Sequence, residues 1–453
     1  MELFADQALL PGGWCRNVRI TISSAGRFEA VVPDSVAPVG VRREAMIVPP
    51  QLSLHSHAFQ RGMAGLTESR QNPADTFWTW RRLMYRLAHR ISPEQMQDIA
   101  SYLYMEMLSA GYTQVAEFHY LHHASGGTSY ARMAEMCLRL GDAAQMTGIG
   151  LTVLPTLYER GGFDGSPLQD AQERFATTPD LIAKIIDQTR SAWMGMLHLS
   201  VGLGLHSLRA VDLASASDLL AVQTGPVHIH VAEQQKEVED CMSATGARPV
   251  DYLLSHADVD GRWCLVHATH LSASEITGLA RSGAVAGLCP ITEGNLGDGL
   301  FPLVSYVNEA GRFGIGSDSN VLISPWEELR LLEYGQRLVT QTRCASLPVD
   351  VLGSTGGWLY RQALEGGRQA CGLDSWGLVA GARADLCVLD EDLLPLPSLQ
   401  SDAILDAAIF GSRQPPVKDV LCGGQWRVRD GRHVDHDAIT TAFRRTVRTL
   451  LDL

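Results

Sequence analysis

The chain has 453 residues, 45% of them hydrophobic and 19% charged, with a net charge of −13 at pH 7. That length suits one large domain plus a smaller one, and the composition is ordinary for a soluble globular protein. The negative charge argues against nucleic acid or an anionic membrane as partner, and no apolar run reaches spanning length.

The start, Met1-Glu2-Leu3-Phe4-Ala5-Asp6, lacks the basic character of a signal peptide, so a cytoplasmic protein is expected. The nine cysteines are scattered with no Cys-x-x-Cys pair, which fits reduced thiols better than disulfides or a thiolate metal site.

Residues 1–48 carry short β-like runs, 18–22 and 27–32, separated by Gly and Pro. A short apolar run then ends in His55-Ser56-His57. In an extended strand, residues two apart share a face, so both imidazoles can aim at one point, and neutral imidazole is a common divalent-metal ligand. An aromatic and basic stretch, 77–85, reads as helix. Ser92-Pro93-Glu94 opens another with an N-cap, a first-position proline and an acidic first turn, and it stops at Ala110-Gly111.

Strand-like and helix-like segments then alternate. Strands are expected at 112–118, 149–155, 199–205, 227–231, 263–267, 284–288 and 312–316, with helices at 129–147, 179–196, 209–223, 234–245 and 272–281. With the histidine strand that makes eight, and β-then-α alternation predicts a parallel sheet with its site at the strand C-terminal ends. Near 377 the pattern returns to short β runs, 384–389 and 419–422, which are expected to rejoin the N-terminal sheet. A last helix is expected at about 437–452.

Reactive side chains fall just after these strands. His228-Ile229-His230 precedes Glu233, Leu265-Val266-His267 ends another strand, and Gly316-Ser317-Asp318 ends the last. Four strand ends each carrying His or Asp point to one site.

His55-x-His57, His230, His267 and Asp318, in that order, resemble the amidohydrolase superfamily. The resemblance spans essentially the whole chain, including Gly381-Ala382-Arg383-Ala384-Asp385-Leu386. Within the superfamily, the chain is most similar to the formimidoylglutamate deiminases of histidine breakdown. The matching stretches include Leu54 to Arg61, Phe118-His119-Tyr120-Leu121-His122-His123, His206 to Val211, His228 to Gln234 and Leu329 to Arg337.

The resemblance implies a distorted (β/α)8 TIM-type barrel, residues 49–376, and a small β-sandwich domain from both chain ends, 1–48 and 377–453 with the C-terminal helix. It implies one Zn2+ per chain, with Fe2+ as the alternative, on His55, His57, His230 and Asp318. None of the three lysines, Lys184, Lys236 and Lys418, is placed to bridge a second ion. His228 is read as a packing residue.

The implied reaction converts N-formimidoyl-L-glutamate to N-formyl-L-glutamate and ammonia with a metal-activated water. Asp318 takes the proton of that water, Glu233 shuttles one to the departing nitrogen, and His267 hydrogen-bonds the water or the tetrahedral intermediate. Gln60, Arg81, Tyr120 and Arg209, assisted by His206, match positions that hold the glutamate part. Asn320 and Leu205 depart from the common pattern, which has histidine and proline there. A homodimer is implied as well. The rival readings are a nucleobase or adenosine-type deaminase of the same barrel and a non-catalytic barrel scaffold.

Overall fold

The computed structural model describes residues 1–68 and 77–451, without the side chains of 77–83. Two sheets organise it. Strands β1 (Glu2–Leu10), β2 (Gly13–Ile22), β3 (Phe28–Val32) and β4 (Arg42–Val48) come from the N-terminal end. Then follow β5 (Gln51–Ser56), β6 (Tyr112–His119), β7 (Gly150–Leu157), β8 (Leu199–Val201), β9 (Leu203–Ser207), β10 (Val227–Val231), β11 (Trp263–His267), β12 (Val285–Leu288) and β13 (Arg312–Ile315). The C-terminal part adds β14 (Leu386–Leu389), β15 (Val417–Cys422), β16 (Gln425–Arg429) and β17 (Arg432–His433).

Strands β5 to β13 form one parallel sheet in the order β13-β12-β11-β10-β9-β7-β6-β5, with β8 beside β7. Strands such as Trp263–His267 are buried along their whole length, as expected where helices cover a parallel sheet. The ends meet: the His57 N–H donates to Asp318 O and the Asp318 N–H to His55 O, both at 3.0 Å, nearly closing an eight-strand barrel. This seam requires Gly316, where a Cβ would sit 2.8 Å from His55 O. The remaining strands form a second sheet, β17-β16-β15-β14-β4-β1-β2-β3, built from both chain ends around its own apolar core of Leu3, Val18, Ile20, Phe28, Ile47 and Leu386. The (β/α)8 barrel with a sandwich-like partner is therefore the architecture.

The helix caps follow the sequence. Ser92 accepts from the Gln95 N–H at 3.2 Å while Gln95 Oε1 accepts from the Ser92 N–H at 2.9 Å, and Gly111 ends the helix Pro93–Ala110 at φ 101°. The final helix, His436–Leu451, packs on it through Tyr102 and Phe443, whose rings stack at 3.9 Å. No helix among the described residues is long and apolar enough to cross a membrane.

Three expectations are corrected. The helix expected at 129–147 is Glu135–Thr147, beginning at Ala134 without a side-chain cap. The strand expected at 199–205 is broken at Gly202 into β8 and β9. The helix expected at 209–223 is only Ser217–Val222. There the carbonyls of Leu208, Ala210 and Val211 accept from Arg160 and Glu159 of the adjacent loop, so they are not available to a helical ladder.

Candidate active site

His55 and His57 sit at the end of β5, His230 near the end of β10, and Asp318 just beyond β13 at φ 43°. The Nε2 of His55 is 3.2 Å from that of His57 and 3.1 Å from that of His230, and both His55 and His57 lie 3.3 Å from Asp318 Oδ1. His57 Nδ1 bonds Phe118 O at 2.9 Å and His230 Nδ1 bonds His206 O at 2.8 Å. A carbonyl only accepts, so each Nδ1 carries the hydrogen and each Nε2 presents a lone pair inward.

Burial holds His57 and His230 below the usual imidazole range and pushes His55 down to about 3. Burial also works to raise Asp318, but the His55 hydrogen bond and the neighbouring imidazoles keep it below the usual carboxylate range. His57 and His230 both turn Nε2 lone pairs toward the point where His55 Nε2 and Asp318 Oδ1 lie, and the buried Nδ1 of His55 has no partner among the described residues to fix its tautomer, so this donor set fits a divalent cation. The four residues form a buried His/Asp cluster whose ligand atoms lie close enough together to hold a metal ion.

His267 ends β11 beside the cluster, with Nε2 3.9 Å from Asp318 Oδ2 and 3.8 Å from Glu233 Oε1. Burial alone would lower His267, but Glu233, Glu293 and Asp318 together raise it well above the usual range. Glu233 lies in the turn after β10, where the Glu237 carboxylate accepts from the Ala232 and Glu233 N–H groups, each at 3.1 Å. Burial raises Glu233, with His267 and Arg209 opposing.

Gln60, Tyr120, His206 and Arg209 line the same cavity as His57, His230, Glu233, His267 and Asp318. Gln60 Nε2 donates to the Tyr120 hydroxyl at 3.3 Å, and the buried Gln60 Oε1 has no partner among the described residues. Arg209 lies beside the Tyr158 hydroxyl and makes no ion pair among the described residues. The side chain of Arg81 lies outside the described residues.

His228 turns away from the cluster, its Nε2 on Ala370 O at 2.8 Å, which is the packing role expected of it. Lys184 and Lys236 lie on helices and Lys418 on β15, none of them in the cavity. Asn320 is not a ligand: its Nδ2 donates to His57 O at 3.1 Å and Asp318 O at 2.8 Å, clasping the barrel seam.

The sequence reading missed Glu237 and Glu293. The first had a signal, one helical turn after Glu233; the second lies on Pro290–Leu296, a helix too short to show periodicity.

Residues 46–427 match the amidohydrolase family. The chain belongs to the amidohydrolase family. Residues 2–45 of this amidohydrolase match the N-terminal domain of formimidoylglutamate deiminase HutF. It is 49% identical over 452 residues to the formimidoylglutamate deiminase of Pseudomonas aeruginosa, covering 99% of both chains. Its identity to the 8-oxoguanine deaminase of that organism is 26%, over 85% of this chain and 83% of the other. The crystal structure of an amidohydrolase from Brucella melitensis superposes with a TM-score of 0.95 at 45% identity over 99% of both chains. A zinc-bound adenosine deaminase from Xanthomonas campestris, at 20% identity and a TM-score of 0.80 over 100% of this chain and 98% of the other, shares the fold.

Proposed function

We propose that this amidohydrolase hydrolyses N-formimidoyl-L-glutamate to N-formyl-L-glutamate and ammonia in histidine degradation. The reading is carried by one juxtaposition: the cavity that holds the His/Asp cluster also holds Arg209, a guanidinium without a carboxylate partner among the described residues. A dicarboxylate substrate needs such a fixed cation, and a nucleobase does not. The full-length identity to the Pseudomonas deiminase supports the same substrate.

The resident ion is proposed as one Zn2+ on His55, His57, His230 and Asp318, with Fe2+ as the alternative; when bound it supplies the Lewis acidity that makes water a nucleophile near neutral pH. Asp318 takes the proton the water gives up, a role supported by its Oδ1 facing the histidines while Oδ2 lies toward His267. Glu233, whose carboxyl is raised by burial, carries a proton to the departing nitrogen. His267 hydrogen-bonds the oxygen that develops charge.

Arg209 grips a carboxylate, with Arg81, Tyr120 and His206 completing the glutamate subsite. Gln60, whose Nε2 donates to the Tyr120 hydroxyl, belongs to the same subsite. The proposed domain division is 1–48 with 377–453, against 49–376. The protein is proposed to work in the cytoplasm as a homodimer. Leu331, Tyr334 and Leu338, exposed along one face of the helix Pro325–Thr340, support the dimer.

The deciding experiment is metal analysis together with ammonia release from N-formimidoyl-L-glutamate. One ion per chain and rapid release are expected. Turnover of guanine or cytosine in its place would establish the rival deaminase, and two ions per active chain would end the mononuclear assignment.

A further inference from the structure

His267 stands on left-handed backbone at φ 66°, followed by Ala268 at φ 47°. Non-glycine residues keep such conformations only where surrounding contacts enforce them. The Ala268 N–H donates to Val231 O at 3.0 Å, which fixes the main chain. The rotation of the imidazole is a separate matter, because the two ring nitrogens serve different partners.

Glu293 supplies that constraint. Its Oε1 accepts from His267 Nδ1 at 3.2 Å and from the Cys289 N–H at 2.9 Å, and the residue is only 4% exposed. Turning the carboxylate away would leave two buried donors unpaired. Donor and acceptor are complementary here, unlike the facing lone pairs of the His/Asp cluster, so the pair is satisfied without an ion. With Nδ1 occupied, Nε2 is left toward the cavity, beyond hydrogen-bond distance of Glu233 and Asp318. Glu293 itself does not line the cavity.

We infer that Glu293 is a positioning residue, holding His267 by Nδ1 so that Nε2 faces the reacting group. The inference rests on the proposed role of His267. A carboxylate behind a functional histidine orients its ring and fixes its tautomer.

The test uses metal-loaded enzyme and N-formimidoyl-L-glutamate, with Glu293→Leu, Glu293→Gln, His267→Asn and the Glu293→Leu/His267→Asn double variant. Glu293→Leu is expected to lower kcat about 10–100-fold with KM within about threefold of wild type. Glu293→Gln, whose amide oxygen still accepts the Nδ1 hydrogen, is expected to restore kcat to within about fivefold of wild type. In the His267→Asn background, Glu293→Leu is expected to cost less than about threefold more, because it acts through a ring no longer present. Metal content, read by atomic emission, is expected to match wild type throughout.

Equal losses in both backgrounds would overturn the inference, as would near-normal kcat for a folded, metal-replete Glu293→Leu. If that variant does not fold, Glu293→Asp replaces it: the carboxylate retreats by one methylene, kcat is expected to fall, and an unchanged kcat overturns the inference. Near-normal kcat for His267→Asn alone has a different meaning, since it removes the proposed role of His267 itself.

Discussion

The His57 N–H donates to Asp318 O at 3.0 Å while Nε2 of the same histidine lies 3.3 Å from Asp318 Oδ1, so main chain and side chain both join the first and last barrel strands. Asn320 reinforces the joint by donating to the carbonyls of both residues. Asn320→Ala removes one donor from each carbonyl, while Asp318 O keeps the His57 N–H and His57 O keeps the Gln60 N–H, and is expected to cost about 0.5–1.5 kcal/mol of stability. The urea midpoint of the metal-loaded protein measures this, and a midpoint equal to wild type removes Asn320 from the support of the seam.

Proton transfer gives the second expectation. Asp318→Asn and Glu233→Gln are nearly isosteric, so the fold persists while kcat falls at least about 100-fold with modest change in KM. Asp318→Asn also weakens metal binding, so its kinetics are read at saturating metal. A Glu233→Gln variant with near-normal kcat at saturating substrate shows that another group moves the proton.

Arg209→Ala separates recognition from chemistry. Truncating one partner of an enclosed charge pair costs about 2–5 kcal/mol, so kcat/KM should fall about 30-fold or more. Part of the loss should appear in kcat, since binding of the remote carboxylate orients the amidine. Formimidoyl-glycine, which lacks the side-chain carboxylate, should be a poor substrate. It should lose less on mutation if Arg209 holds the side-chain carboxylate, and as much if Arg209 holds the α-carboxylate. Unchanged turnover of N-formimidoyl-L-glutamate by Arg209→Ala sinks the assigned grip.

Glu117 provides a pH-dependent prediction about stability. It lies buried behind the metal-site strand, accepting from the Ala58 N–H and the Tyr104 hydroxyl, and burial pushes its carboxyl up to about 8 from an ordinary 4.5. Below 4.5 both folded and unfolded chains hold the proton; between 4.5 and about 8 the folded chain binds more. Its contribution to stability is therefore lost as pH rises through that window. Glu117→Gln, neutral throughout, should gain on wild type between pH 5 and pH 8.5 when urea midpoints are compared. A difference that stays constant with pH contradicts the shifted carboxyl.

Much of the barrel was legible in the sequence because its signals are local. Buried parallel strands are short apolar runs, the helix Pro93–Ala110 announces both of its caps, and His55-x-His57 shares a face through the two-residue period of a strand. The order of His, Asp and Glu at strand ends then marked one site. Periodicity could not separate His228 from His230, which share a face of β10 about two residues' rise apart. Height along the barrel decides: one reaches Ala370 O, the other His55. The helix expected after Arg209 was lost for a related reason, since a loop some 50 residues earlier takes its carbonyls. Glu293 meets His267 from 26 residues away through a helix of one or two turns, and Asn320 clasps His57 from 263. Local pattern fixes which face a side chain takes; its partner, and hence its tautomer and direction, depends on which distant segments the closed barrel brings into hydrogen-bond range.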